Sequence, residues 1–195
     1  MASAALKNRY TPEEYLALER KADYKSEYYD GFITAMSGVS KEHNLIALNM
    51  AAKLHEQLAQ RPCYVFVSDM RVRVSQTGLY TYPDVIVACG QSQFLDANVD
   101  TLLNPTMIVE VLSPSTESYD RGAKFGHYRR LPSLKEYVIV AQDQILVERY
   151  FRHGDDWLLT DFRQLEDTLP LRSIDCELRL SDIYAKVEFE RPAAE

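Results

Sequence analysis

The chain has 195 residues, 46% hydrophobic, 26% charged and 11% aromatic, with 7 Gly and 8 Pro; this is a globular balance, and the length predicts a single domain over residues 1–195. A formal net charge of −7 argues against a protein held on nucleic acid by a broad basic surface, because neutralising phosphates takes clustered Lys and Arg. Cys63, Cys89 and Cys176 are odd in number with no CxxC spacing, and no apolar run approaches the roughly 20 residues needed to span a bilayer, so disulfides, thiolate zinc and membrane contact are not expected and a reducing cytoplasm fits best.

Residues 1–7 (MASAALK) carry neither the basic nor the apolar region of a secretion signal. Thr11, Pro12, Glu13 and Glu14 ahead of Tyr15, Leu16 and Leu18 predict a short helix, with Thr as N-cap, Pro in the first turn and acids facing the positive end of the dipole. Asp30-Gly31, between Glu27–Tyr29 and Phe32–Thr34, suits the positive φ values of a type I′ hairpin turn and puts Glu27 on a strand. From Lys41 to Gln60 apolar residues recur at helical spacing, with Ser40 as N-cap and Pro62 beyond the end. Tyr64–Val67 and Met70–Val74 alternate at period two, and Leu79–Cys89 extends this strand-rich middle. Asp96–Asn104 reads as a polar connection, Thr106–Leu112 as a buried strand and Ser118–Leu131 as a helix stopped near Pro132. Glu136–Ala141, Ile145–Phe151 and Trp157–Phe162 are strand candidates with a turn at Gly154-Asp155, and Asp182–Tyr184 predicts a last helical turn. Strands mixed with a few helices predict an α/β (α+β) fold of layered type.

Two positions break this core logic. In Met107-Ile108-Val109-Glu110-Val111-Leu112 a carboxylate interrupts a run suited to a strand covered on both faces, and Asp84, behind Pro83, opens the apolar run Val85–Ala88. A buried carboxylate needs a partner. Two of them side by side raise each other's pKa unless a cation lies between, and oxygen-only donors favour Mg²⁺ or Mn²⁺ over Zn²⁺. The bland alternative is that Asp84 caps a turn and Glu110 pairs with Arg71 or Arg73. Downstream, Asp120, Lys124 and Tyr128 fall at i, i+4 and i+8, so a helix carries an acid, an ammonium and a phenol in one column; an exposed Asp120–Lys124 pair is the competing account. Arg121, Lys124, Arg129, Arg130 and Lys135 form a basic stripe. His43 is either structural or at the site, and Glu27 is either a solvated acid or a third carboxylate. The chain has no GxSxG elbow, GxxxxGK[ST] or GxGxxG loop, which excludes the usual serine hydrolases, kinases and dehydrogenases.

The ordered set Glu27, Pro83-Asp84, Glu110-Val111-Leu112-Ser113-Pro114, Asp120, Lys124, Tyr128, together with Thr11–Tyr15, Asp30-Gly31, His43 and Leu131–Tyr137, resembles the Uma-two family of endonucleases, which look like members of the PD-(D/E)xK restriction-endonuclease-like superfamily. The resemblance implies a restriction-endonuclease-like core, a central mixed β-sheet flanked by helices. It implies Asp84 and Glu110 as metal ligands with the Val111 carbonyl as a further one, and Lys124 as the superfamily lysine, relocated because Leu112 stands at its usual position. Glu27 matches the family's early strand acid and His43 its early helix histidine. The activity implied is Mg²⁺- or Mn²⁺-dependent hydrolysis of DNA, with Asp84, Glu110, Lys124 and Glu27 catalytic, with His43, Tyr128 and Arg121 contacting substrate, and with a homodimer meeting the two strands of a duplex. A nuclease-like module that binds nucleic acid or protein without catalysis, and a hydrolase of small phosphodiesters, are the alternatives.

Overall fold

The computed structural model describes residues 9–189; the stretch read above for a secretion signal lies outside the described residues. Helix α1 (Pro12–Glu19) starts at the expected cap: Thr11 accepts from the Glu14 amide and the Glu14 carboxylate accepts from the Thr11 amide, which satisfies two otherwise orphaned donors. Strands β1 (Ser26–Tyr29) and β2 (Phe32–Ala35) form a hairpin whose turn residues have φ of 46° at Asp30 and 86° at Gly31. Gly31 is required twice over, because a Cβ there would also stand 2.9 Å from the Arg9 side chain. This hairpin joins β4 (Arg71–Val74), β5 (Leu79–Thr81) and β7 (Thr101–Leu102) in a five-stranded sheet of order β2-β1-β5-β4-β7.

The larger sheet has six strands: β3 (Cys63–Val67), β6 (Val85–Cys89), β8 (Met107–Leu112), β9 (Glu136–Ala141), β10 (Val147–His153) and β11 (Asp156–Phe162), in the order β11-β10-β9-β8-β6-β3. Its β8–β9 pair is parallel and the others are antiparallel, so the fold is α+β with mixed sheets and few helices. Period-two alternation divides its side chains between two cores. Val85, Val87, Met107, Val109, Val111, Val138 and Val140 pack under helix α2 (Lys41–Leu58), and Ile86, Ala88, Ile108, Leu112 and Ile139 face Val72, Val74 and Leu79 of the smaller sheet. Helix α2 buries Ile46, Met50, Leu54 and Leu58 and starts where Ser40 caps the His43 amide. A hairpin of β12 (Thr168–Leu171) and β13 (Cys176–Arg179), followed by helix α5 (Leu180–Ile183), closes the α2 side. Among the described residues no helix is long and apolar enough to cross a membrane.

Several expectations need correction. Cys63 and Cys89 are disulfide-bonded, because the β3–β6 register sets them opposite each other, and Cys176 is left free and buried. An odd cysteine count leaves one thiol over without forbidding a pair, so the argument for a reducing compartment loses its support. The strand-rich stretch Leu79–Cys89 holds two strands, as the new apolar run behind Pro83 implies, and at Tyr82-Pro83-Asp84 the chain crosses from one sheet to the other. The polar connection Asp96–Asn104 contains β7. The helix expected over Ser118–Leu131 is present as one continuous helical stretch, 117–128, in which α3 (Glu117–Tyr119) and α4 (Phe125–Tyr128) flank a π-helical turn (Asp120–Lys124). Gly122 and Gly126 weaken α-helical preference there, and the wider π turn lets Asp120, Lys124 and Tyr128 all face inward, each at most 5% exposed.

Candidate active site

The seam between the two sheets gathers the acids. Extending the β6–β8 register of Val85↔Val109 by one residue sets Asp84 opposite Glu110, where directly opposed Cβ atoms stand about 5 Å apart. Asp84 follows Pro83 at the crossover, so its carboxylate is free of a strand interior and turns toward β8, where Oδ2 accepts from the Val111 amide at 2.8 Å. His43 Nε2 lies 3.2 Å from the same oxygen. Its Nδ1 is buried with no hydrogen-bond partner. Glu110 shares its face of β8 with Ile108 and Leu112, and its Oε1 accepts from the Tyr128 hydroxyl at 2.7 Å and meets Lys124 Nζ at 2.9 Å.

Lys124 is the hub. Its ammonium also lies 3.3 Å from Asp120 Oδ1 and 3.4 Å from Glu27 Oε1. Glu27 reaches it from β1 of the smaller sheet and is held by the Thr81 hydroxyl of β5. The partner of Glu110 is therefore Lys124 and not Arg71 or Arg73; Arg71 is bound instead to Asp100, Thr101 and Tyr82.

Three carboxylates share one buried ammonium, with Asp84 adjacent, so negative charge is in excess where water is scarce. Burial, joined by the charges of Asp120 and Asp84, pushes the Glu110 carboxyl up to about 8 against the pull of Lys124. Asp120 is raised for the same reasons, burial first. Burial works against the Lys124 ammonium, but Glu110, Tyr128, Glu27 and Asp120 outweigh it and hold the proton far more firmly than in water. All three shifts have one sense: the cluster retains protons that free side chains would release, as expected of a site short of positive charge.

The donor chemistry fits a hard divalent cation. Tyr128 and Lys124 use Glu110 Oε1, and Val111 and His43 use Asp84 Oδ2, leaving one oxygen of each carboxylate outside those contacts. Both residues and Val111 line a cavity of about 540 Å³. Among the described residues no three His, Cys, Asp or Glu side chains form a metal-binding group; a set of two carboxylates and a backbone carbonyl is the kind that Mg²⁺ completes with water and phosphate oxygens.

The structure brings Asp84, Glu110, Val111, Lys124, Glu27 and His43 together around this cavity. It does not bring the other two expected substrate contacts there. Tyr128 is fully buried and supports Glu110 from behind, and Arg121 is ion-paired to Glu117 and Glu148. Tyr29, Phe32, Tyr82 and Tyr119, not singled out above as site residues, also line the cavity. Their signal was proximity in period: Tyr29 is two residues past Glu27 on one strand face, Tyr82 two before Asp84, and Tyr119 next to Asp120.

Residues 12–181 match the family model described as "Uma2: Putative restriction endonuclease". Two proteins of Synechocystis sp. (strain ATCC 27184 / PCC 6803 / Kazusa) are similar along most of their length. Uncharacterized protein slr1290 is 37% identical over 182 residues, covering 93% of this chain and 94% of its own. Uncharacterized protein sll1609 is 40% identical over 152 residues, covering 77% and 86%. Among solved structures, one described as a "putative nuclease belonging to DUF820 from Anabaena variabilis ATCC 29413" superposes with a TM-score of 0.74 at 19% identity, covering 89% of this chain and 96% of that one. At that identity the likeness shows the fold.

Proposed function

The chain belongs to the Uma2 family, and from that membership and the geometry of the cavity we propose that it is a Mg²⁺- or Mn²⁺-dependent endonuclease hydrolysing phosphodiester bonds of DNA. The solved neighbour, itself described as a "putative nuclease", has the same fold. The observation that carries the reading is the convergence of Asp84, Glu110 and Lys124 from a sheet crossover, a buried strand and a π turn onto one cavity wall.

In this reading Asp84, Glu110 and the Val111 carbonyl hold the ion, which when bound supplies Lewis acidity to the phosphoryl group and the attacking water. Lys124 orients the water and offsets charge that develops on the phosphoryl oxygens, an electrostatic role made stronger by its burial. Glu27 and Asp120 fix the ammonium from two sides, and Tyr128 fixes Glu110. His43 holds the Asp84 carboxylate from α2 through Nε2 and so positions that ligand, with its buried Nδ1 turned away from substrate. Arg121, tied to two acids, has no part in it.

The test is cleavage of supercoiled and linear DNA with Mg²⁺, with Mn²⁺ and with EDTA. Metal-dependent nicking that falls by at least about a hundredfold in Asp84→Asn and Glu110→Gln supports the reading. No cleavage, or equal cleavage by the variants, overturns it in favour of a nuclease-like module without catalysis.

A further inference from the structure

The hairpin β1–β2 gives the cavity a wall of graded chemistry. Directly opposed residues of an antiparallel pair project to one side, and the pairs Glu27↔Thr34 and Tyr29↔Phe32 all line the cavity. At the deep end Glu27 meets Lys124. Two residues along β1, roughly 7 Å away, the wall becomes two aromatic rings side by side at the mouth. Tyr29 is 45% and Phe32 55% exposed, so both rings are open to solvent beside the cavity they line. Both are held in place: Tyr29 packs edge-on against His127 with ring centroids 4.6 Å apart, and the Arg9 guanidinium lies 5.3 Å from the centroid of Phe32.

The charge lining the cavity does not suit one mode of recognition, and Arg9 at the mouth is itself paired to Asp30. Among the described residues lining the cavity the cation is Lys124, already shared by three carboxylates, whereas Glu27, Asp84, Glu110 and Asp120 are acids. The adjoining cavity of about 370 Å³, which shares Met36–Val39, His43, Tyr82 and Asp84 with the first, contributes Lys25, and that is paired to Asp69. Gripping a duplex by its phosphates takes a row of free Lys and Arg. These walls do not present one. They offer aromatic side chains beside a cavity whose volume falls in the roughly 300–1,000 Å³ range of sites that enclose a small molecule, and a ring can stack on a base only where that base is unpaired, a contact worth about 1–3 kcal/mol per base.

We propose that Tyr29 and Phe32 are a stacking lip for an unpaired base, so that the substrate of this site is single-stranded or locally unpaired DNA. The inference rests on the nuclease reading for its chemistry, but its binding test does not.

Binding is measured by fluorescence anisotropy in EDTA, with a fluorescein-labelled single-stranded oligonucleotide and its fully paired duplex. The single strand is expected to bind at least tenfold tighter than the duplex, Phe32→Ala and Tyr29→Ala each to weaken it about tenfold with little effect on the duplex, and Phe32→Trp to retain it. Equal affinity for the two DNA forms, or alanine variants that bind the single strand like wild type, overturns the inference. Cleavage of the same oligonucleotides in Mn²⁺ separates the two readings. A nuclease that cuts the duplex as fast as the single strand, unaffected by Phe32→Ala, leaves the nuclease reading standing and removes the stacking lip. Selective binding of the single strand with no cleavage of either form does the reverse.

Discussion

Lys124 Nζ lies 2.9 Å from Glu110 Oε1, and both side chains are almost wholly buried. Removing the ammonium leaves the Glu27, Asp120 and Glu110 carboxyls that share it without their cation in the interior, which costs about 3–5 kcal/mol. Lys124→Met is therefore expected to lower unfolding stability by that amount in EDTA. Because the two residues are in contact, the double variant with Glu110→Gln is expected to lose clearly less than the sum of the single losses. Urea denaturation of the four proteins checks this; strict additivity would show that the pair is not coupled.

Tyr128 separates positioning from contact. Its hydroxyl is buried and donates to Glu110, so Tyr128→Phe is expected to reduce kcat with KM nearly unchanged and to lower stability by about 1–3 kcal/mol, the cost of leaving a buried acceptor unsatisfied. Steady-state kinetics on an oligonucleotide substrate decides. A raised KM with unaltered kcat would restore the substrate contact that the sequence suggested.

The disulfide predicts a redox dependence of stability. Cys63 and Cys89 are 26 residues apart, and closing a loop of that size contributes roughly 3–4 kcal/mol, equivalent to a Tm shift of roughly 6–16 °C for a chain of this length. Thermal melts with and without a phosphine reductant, and of Cys63→Ala, measure it. Coincident melts, with the thiols shown to be reduced, would contradict the expectation.

Acid sensitivity is expected away from the cavity. Arg20, through its hydrogen bonds, with help from Thr101 and Arg71, holds the Asp100 carboxyl well below the usual carboxylate range. A carboxyl depressed in the folded state adds stability that is fully present above its unfolded value of about 3.9 and is lost as pH falls from there toward the folded value. The stability difference between wild type and Asp100→Asn should therefore be constant from pH 7 to about 5 and shrink steadily below about 4. Urea midpoints across that range test it; a gap that persists unchanged to pH 2 would contradict it.

Glu110 and Glu136 show what the sequence can and cannot distinguish. Both are acids in apolar strands, and both are buried. Glu110 meets an ammonium at a cavity. Glu136 instead accepts from the Arg172 and Ser173 amides and the Ser173 hydroxyl, latching the turn between β12 and β13. The interruption of a hydrophobic run signals a buried acid that has a partner, but the partner comes from a different part of the chain, 14 residues away for Lys124 and 36 to 37 for the latch. Glu136→Ala is accordingly expected to destabilise the protein by about 2–4 kcal/mol and to leave the metal dependence of cleavage unchanged.

Local chemistry was legible throughout: the Thr11 capping box, the Asp30-Gly31 turn and the Ser40 cap lie where their residues predict. The long-range pairings were not. The small sheet and the β3–β6 register that bonds two cysteines depend on contacts between distant segments, which periodicity does not encode, whereas the Asp120, Lys124 and Tyr128 column was readable from its spacing. The ordered acids and lysine were recognisable as a set, whereas the aromatic wall beside them became visible only when the β1–β2 register put Tyr29 against Phe32.

The most direct measurement of the central claim is anomalous scattering from crystals soaked in Mn²⁺. The account predicts a single strong peak in the main cavity, bonded to carboxylate oxygens of both Asp84 and Glu110 and lost in Glu110→Gln. A cavity free of anomalous density at saturating Mn²⁺, or a peak that survives Glu110→Gln unchanged, would contradict it.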